Sequence, residues 1–107
     1  MQDFVLGSPD ASLGDLAKIL ARDPYDQEAR FERAETLIRN HRWTEAQSEL
    51  TSYCRLFPTD GVGWLRLAEV LHRISPHDEE VQAALAQALA HLPDGTDRER
   101  ALALAGD

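Results

Sequence analysis

The stretch LFPTDGVGWLRLAEVL, residues 56–71, decides how the chain is organised, because it sets a proline and an acidic turn between two apolar stretches. From Trp64 onward, apolar residues recur three and four positions apart, which is the spacing of one face of an α-helix. Pro58 cannot continue the helix that precedes it, since it lacks the backbone N–H that a helix needs. We therefore expect one helix to end at Pro58 and another to cover about 60–74.

Helical spacing also governs the sequence on both sides of this stretch. No run of Val, Ile, Thr and aromatic residues alternates with polar residues, so strands are not expected. We predict an all-α fold of about six helices, in which the helix over 60–74 is central because it carries apolar residues on two sides. The predicted helices cover about 12–22, 26–40, 43–57, 60–74, 77–91 and 96–105.

Residues that commonly cap helix N-termini stand before several of these segments. Ser12 precedes the first helix, and Ser75 with Pro76 precedes the fifth, where proline at the first helical position loses no hydrogen bond. Thr44 and Thr96 each have a Gln or Glu three residues later, which is the spacing of a capping box. We expect these residues to cap the first, third, fifth and sixth helices.

The sequence shows a repeat with a period of 34 to 35 residues. The sequence numbers of Pro24 and Pro58 differ by 34, and those of Pro58 and Pro93 differ by 35. A regular period of this length is typical of helical repeat proteins. Residues of the same type that recur at the offset of 34 are Ala34 and Ala68, Glu35 and Glu69, Leu37 and Leu71, and Arg39 and Arg73.

A helix–turn–helix unit with a period of about 34 residues resembles the tetratricopeptide repeat (TPR). Trp64, Leu67 and Ala68 match the family's aromatic, leucine and small residue on the first helix of a hairpin, whereas Arg30 stands where the first unit should have its aromatic residue. Ala46, in RWTEA, is similar to the alanine at which the two helices of a hairpin approach most closely. The resemblance implies a short right-handed solenoid of about two and a half repeats. Its parts are a tail over 1–11, a half unit over 12–24, full units over 25–58 and 59–93, and a capping helix with a tail over 94–107.

The resemblance also implies a binding groove, since in TPR proteins the inner faces of the first helices hold a peptide or helix of a partner. Apolar residues exposed there would favour a protein partner, unless a neighbouring helix covers them. Arg39 and Arg73 would give this groove a basic strip, suited to an amphipathic partner segment that carries Asp or Glu. The implied groove residues are Phe31, Glu35, Ile38, Arg39, Leu65, Arg66, Glu69, His72 and Arg73.

Composition narrows the class of function. The net charge of −8 repels nucleic-acid phosphates, so DNA and RNA are not expected partners. No apolar run approaches the roughly 20 residues of a membrane span, and the start MQDFVLGSPDASLG lacks the basic and apolar regions of a secretory signal. We expect a cytoplasmic protein. The Ala-rich composition, in which Arg supplies all but one of the 11 basic residues, hints at a GC-rich bacterial gene.

Residues with catalytic or metal-binding chemistry are scattered. The four histidines have no partner at i, i+4 on one helix, so no metal site is expected. Cys54 belongs to the apolar stripe of the third helix, which predicts a buried and unreactive thiol. The sequence GVG over 61–63 lacks the lysine of a phosphate-binding loop and is predicted to be a turn. Glu35, Glu69 and His72 form the nearest acid–base group, but we expect them on a solvated surface.

The expected function is therefore noncatalytic and needs no cofactor. We expect a protein-interaction module, either an adaptor or a small chaperone, that holds a peptide or helix of another protein in the groove. The alternative is a structural subunit that assembles with copies of itself or within a larger complex. Light scattering across a dilution series separates the two, because a self-assembled particle dissociates on dilution.

Overall fold

The computed structural model describes residues 9–106, and these residues form six α-helices and no β-strand. The predicted all-α class and number of helices are confirmed. Five of the six helices begin and end within two residues of their predicted limits. The helices are α1 (Pro9–Arg22), α2 (Gln27–Arg39), α3 (Trp43–Leu56), α4 (Gly61–Ile74), α5 (Glu79–His91) and α6 (Thr96–Ala105).

Each helix packs against the next one along the chain, and the short connections make such neighbours antiparallel. α4 is the central helix, as predicted, since it packs against α3, α5 and α6. Leu65 is fully buried on one side of α4, and Leu67 and Leu71 are buried on another. Burial of a leucine side chain stabilises the fold by about 1.5–3 kcal/mol, so α4 contributes a large part of the core.

Three aspartates cap the N-termini of the helices. Asp26 accepts a hydrogen bond from the backbone N–H of Ala29 at the start of α2 (3.0 Å). Asp60 and Asp78 do the same at the starts of α4 and α5. Caps of this kind stabilise a helix by about 1 kcal/mol, because they satisfy a backbone donor that has no partner within the helix.

The predicted caps at Ser12 and Ser75 are wrong. α1 begins at Pro9, so Ser12 lies inside the helix. Ser75 ends α4 as its C-cap, and its carbonyl oxygen accepts a hydrogen bond from the N–H of Asp78 (3.0 Å). This bond closes a turn around Pro76, and the stronger capping residue, Asp78, then starts α5.

The capping boxes predicted at Thr44 and Thr96 are also wrong. α3 follows Arg42 and α6 follows Gly95, and neither of these N-cap residues accepts a side-chain capping bond. The connection from α2 explains the start of α3, because His41 takes a left-handed conformation (φ 59°) and turns the chain directly into the helix.

The glycines at 61 and 63, predicted to form a turn, belong to the first turn of α4. A Cβ atom on Gly63 would lie 2.5 Å from Cε1 of Tyr53, and one on Gly61 would lie 2.8 Å from Cγ of Leu92. Both distances are far below van der Waals contact. Glycine is therefore needed here so that α3 and the end of α5 can approach the start of α4.

Two turns of the chain are alike in their side-chain hydrogen bonds. Nε1 of Trp64 donates to the carbonyl oxygen of Pro58 (2.9 Å), six residues earlier. Nε of Arg30 donates in the same way to the carbonyl oxygen of Pro24. Donor and acceptor are each displaced by 34 in the sequence numbering between the two bonds. Different residue types thus make the same contact at the same place in two successive turns.

Backbone hydrogen bonds in these turns repeat at the same offset. The N–H of Asp26 donates to the carbonyl oxygen of Asp23 (3.1 Å), and the N–H of Asp60 donates to that of Phe57 (3.1 Å). Because both the side-chain and the backbone bonds recur at the offset of 34, the period found in the sequence corresponds to a repeated turn in the structure.

Candidate functional site

A row of four charged side chains crosses three helices that do not follow one another directly in the chain. Nε of Arg66, on α4, donates to Glu35 Oε2 on α2 (3.3 Å), and Nη1 of the same arginine donates to Glu69 Oε1 (3.2 Å). Arg100, on α6, donates to the other oxygen of Glu69. We call Glu35, Arg66, Glu69 and Arg100 the ion-pair row, and the surface that they cross the α2/α4/α6 face.

The ion-pair row neutralises its own charge, since two carboxylates meet two guanidinium groups. Its side chains are partly exposed, from 19% for Arg66 to 45% for Arg100. Pairs with this exposure stabilise a fold by only about 0.2–1 kcal/mol each, because water and salt screen them. The main consequence is electrostatic: the positive charge of Arg66, one of the predicted groove residues, is balanced by Glu35 and Glu69.

Glu35 and Glu69 each stand four residues before an arginine, Arg39 and Arg73, but they form their ion pairs with arginines of the ion-pair row instead. Arg39 instead donates from Nη2 to Oγ1 of Thr36 (3.2 Å). Neither Arg39 nor Arg73 forms an ion pair with a carboxylate among residues 9–106. Both lie in the last turn of their helices, where the helix dipole favours a positive charge. They keep an exposed positive charge on an acidic protein.

Arg73 and His41 both contact the indole ring of Trp43. The guanidinium carbon of Arg73 lies 4.9 Å from the ring centroid, which is a cation–π distance. The imidazole of His41 stacks on the indole with 5.2 Å between centroids and 13° between planes. Trp43 thus holds a guanidinium and an imidazole at one edge of the α2/α4/α6 face.

These three residues border a hollow of about 340 Å³, which we call the Trp43 hollow. Ile38 and Val70 give it an apolar wall, and Glu69 of the ion-pair row closes one side. The hollow therefore combines apolar surface with the positive charge of Arg73 on its rim. Such a combination can hold an apolar side chain next to a carboxylate.

A second hollow lies on the other side of Glu69. It is lined by His72 of α4 and by Arg100, Ala103 and Leu104 of α6, and we call it the His72 hollow. Glu69 of the ion-pair row lines both hollows. Together they form the candidate site.

The predicted groove residues differ in how far their side chains are exposed. Leu65, expected to be exposed in the groove, is fully buried, so that expectation is wrong. It faces the core because α4 is covered on two sides. The ring of Phe31 packs against Tyr53 (centroids 5.5 Å apart), and Phe31 is only partly exposed. Ile38 also packs against the core, but it still lines the Trp43 hollow.

Several residues of the site were not among those that the sequence pointed to, and they include Trp43, His41, Arg100 and Leu104. Trp43 fits the apolar stripe of α3 and gives no sign of a surface role. Arg100 could have been found, because its sequence number exceeds that of the predicted groove residue Arg66 by 34. Leu104 lies 34 residues after Val70, which was not a predicted groove residue, so the period does not point to it.

Two groups with unusual acid–base properties lie away from this face. Burial, with a smaller effect of the negative charge on Asp60, raises the pKa of the Cys54 thiol to about 12. Burial and the hydrogen bond to Asp60 raise the pKa of Tyr53 above its ordinary value. Both groups are protonated near neutral pH, and Cys54 is only 2% exposed, so its thiol is unsuited to nucleophilic chemistry.

Among residues 9–106, no group of three His, Cys, Asp or Glu side chains is arranged to hold a metal ion. No helix in the same range has both the length and the hydropathy to span a bilayer.

Comparison with protein-family models gives no match to this chain, and comparison with curated proteins gives none either. The likeness to TPR proteins therefore rests on the residues and on the repeated turns described above.

Proposed function

We propose that the protein is a noncatalytic interaction module, an adaptor or small chaperone, that holds a peptide or amphipathic helix of a partner protein on the α2/α4/α6 face. We assume for this proposal that the helices stack as a TPR-like right-handed solenoid. Two features support this arrangement: the turns that repeat at the offset of 34, and the packing of each helix on the next. In such a stack α2, α4 and α6 occupy equivalent positions, consistent with the ion-pair row that joins them.

The observation that carries the proposal is the position of Arg73 over Trp43 at the rim of an apolar hollow. The apolar wall suits one aliphatic or aromatic side chain of the partner. Arg73, together with Arg39 at the end of α2, suits an Asp, a Glu or a terminal carboxylate next to that side chain. We therefore propose an acidic amphipathic segment as the partner.

The ion-pair row adds to this selectivity. The charges of the row cancel one another. On this face, Arg39 and Arg73 are then the arginines that form no ion pair with a carboxylate of the described residues. A cationic segment would be repelled by them, whereas an acidic one would be attracted despite the net charge of −8 on the whole chain. The proposed activity needs no cofactor, involves no nucleic acid and takes place in the cytoplasm.

The test uses a double variant, Arg39→Glu with Arg73→Glu, in which the positive charges of both arginines are reversed. Arg22→Glu with Arg55→Glu is the matched control, because these arginines lie in the last turns of α1 and α3 and the change in net charge is the same. Tagged proteins are used for pull-downs from the native cytoplasm, and bound proteins are identified by mass spectrometry.

We expect the native chain and the control variant to capture the same partner and the Arg39/Arg73 variant to lose it. The helical circular-dichroism signal and the thermal midpoint of both variants should stay near those of the native chain. A folded Arg39/Arg73 variant that still captures the partner would refute this binding face.

Self-assembly is the alternative function, and one observation favours it. Ile19 on α1 and Leu102 on α6 are 43% and 51% exposed, and they lie on the first and last helices of the array. Large apolar side chains at both ends are suited to contact between copies. Light scattering on dilution distinguishes the alternatives: a particle that falls in size supports self-assembly, and a constant monomer supports the adaptor.

A further inference from the structure

α4 borders a second concave surface, on the side that faces away from the α2/α4/α6 face. Residues 64, 67 and 71 share one side of α4, whereas 66, 69 and 73 share a roughly opposite side. α3 and α5 both pack against α4 and leave a cleft of about 360 Å³ between them. Trp64, Leu67 and Leu71 line this cleft, which we call the Trp64 cleft.

The part of the Trp64 cleft that α4 supplies is apolar. Trp64 is only partly buried and borders the open space. Its indole N–H is already satisfied by the carbonyl oxygen of Pro58, so the rest of the ring offers apolar surface to a ligand. From Trp64 to Leu71 the helix rises about 10 Å, which is two turns. This length accommodates two apolar side chains one helical turn apart.

The walls of the cleft differ from the rim of the Trp43 hollow in charge. Glu80 of α5 is the charged residue that lines the cleft, and no Lys, Arg or His among the described residues lines it. Glu80 is exposed and forms no ion pair with any side chain among residues 9–106. Its neighbours at the start of α5 are Asp78 and Glu79, so the local potential is negative. A cation on the ligand would therefore be favoured at this wall.

We propose that the Trp64 cleft docks a cationic amphipathic helix of a partner protein. Two apolar residues of that helix, spaced at i and i+4, occupy the apolar surface of α4. A Lys or Arg of the same helix pairs with Glu80. The charge preference is opposite to that proposed for the α2/α4/α6 face, and the two surfaces lie on different sides of α4. One copy of the chain can then bind an acidic and a cationic segment at the same time.

The two tryptophans of the chain report separately on the two surfaces, since Trp43 borders one and Trp64 the other. Nuclear magnetic resonance of the ¹⁵N-labelled full chain resolves the two indole N–H signals, and a Trp43→Phe variant assigns them. The probe is a synthetic alanine-based helix with two leucines four residues apart and lysines on its polar side. A second peptide carries glutamate in place of every lysine.

We expect the lysine peptide to shift the Trp64 indole signal in a saturable titration and the glutamate peptide to leave that signal unchanged. Glu80→Lys should weaken the binding of the lysine peptide by about tenfold, as expected for reversal of one charge at a binding site. Glu79→Lys is the matched control, because Glu79 is the exposed neighbour that does not line the cleft, and it should weaken binding much less.

Ala83→Trp should fill the cleft and abolish the shift, while Ala86→Trp, on an exposed part of α5 outside the cleft, should preserve it.

Absence of a Trp64 shift, equal binding of both peptides or equal effects of Glu80→Lys and Glu79→Lys would overturn the inference. A Trp64 shift that depends on protein concentration without peptide would assign the cleft to a second copy and would also overturn it. None of these results would affect the binding proposed at Trp43.

Discussion

Tyr53 donates its hydroxyl hydrogen bond to Asp60, the residue that caps α4, so one carboxylate joins the end of α3 to the start of the central helix. The other oxygen of Asp60 accepts from the N–H groups of Val62 (3.0 Å) and Gly63 (3.4 Å). Gln27 of α2 donates from Nε2 to the Tyr53 hydroxyl (3.0 Å). Asp60 therefore combines the capping of one helix with a contact between three helices.

This double role predicts that Asp60→Ala destabilises the protein more than Asp26→Ala does. Asp26 occupies the equivalent position one repeat earlier and caps α2 without a tyrosine partner. Loss of a cap costs about 1 kcal/mol, and loss of the Tyr53 bond should add about 1 kcal/mol. Urea denaturation followed by circular dichroism measures both free energies of unfolding. Equal losses would mean that the Tyr53 bond contributes no net stability.

Alanine at position 63 should destabilise the fold, although alanine is usually favoured over glycine in a helix by about 1 kcal/mol. The added Cβ would lie 2.5 and 2.8 Å from two ring carbons of Tyr53, so the ring must move away from Asp60. Gly14→Ala in α1 is the control, because its Cβ would meet no atom of another described element within 4 Å. We expect the thermal midpoint to fall for Gly63→Ala and to rise or stay level for Gly14→Ala. The prediction fails if both variants are stabilised.

Ala46→Leu tests the close approach of α2 and α3. Ala46 is fully buried, and extra methyl groups in a packed core cost about 1–3 kcal/mol. The thermal midpoint should therefore fall by several degrees. Ala86→Leu adds the same atoms at an exposed position of α5 and should leave the midpoint nearly unchanged. Similar midpoints for the two variants would contradict the proposed contact at Ala46.

The raised pKa of Cys54 makes stability depend on pH in the alkaline range. The thiol pKa is about 12 in the folded chain, against an ordinary value of 9.0. Between these values the unfolded chain releases the thiol proton while the folded chain retains it, so stability falls as pH rises. Well below pH 9 both states keep the proton and this contribution is constant.

Between about pH 8 and about pH 10, the native chain should lose about 1 kcal/mol more of its free energy of unfolding than a Cys54→Ala variant does. Urea denaturation at the two pH values measures this difference. Tyr53 is present in both proteins, so its own titration cancels in the comparison. Parallel losses in the two proteins would indicate that the folded thiol titrates normally.

The sequence predicts the helices better than their packing, because the period of apolar residues is a local property. In α4 that period cannot tell which side faces the core. Leu65 and Trp64 are neighbours that both fit the apolar pattern, yet Leu65 is fully buried and Trp64 borders a cleft. The difference arises from the helices on either side of α4. Burial of this kind cannot be read from the pattern of one segment.

Residues of the candidate site could be predicted from the sequence only where the same residue type recurs at the repeat period. Arg39 and Arg73 were found because they recur at the offset of 34. The pairing of Arg66 with Glu35 was not predicted, because it depends on how α2 and α4 face one another. Within each helix, the pattern instead favours bonds to the residue four positions away. Contacts between helices compete with these local pairs, and in this structure the contacts between helices form instead of the local pairs.

Arg30 and Trp64 make the same hydrogen bond to a proline carbonyl, although one is a flexible cation and the other a rigid aromatic ring. The turn requires a nitrogen donor that reaches back six residues, and it does not require a particular shape or charge. Residue type at this position can therefore change during evolution while the turn is kept. In the second unit that residue provides the wall of a cleft, and in the first it adds a charge. Short helical arrays can in this way acquire a different outer surface on an unchanged backbone.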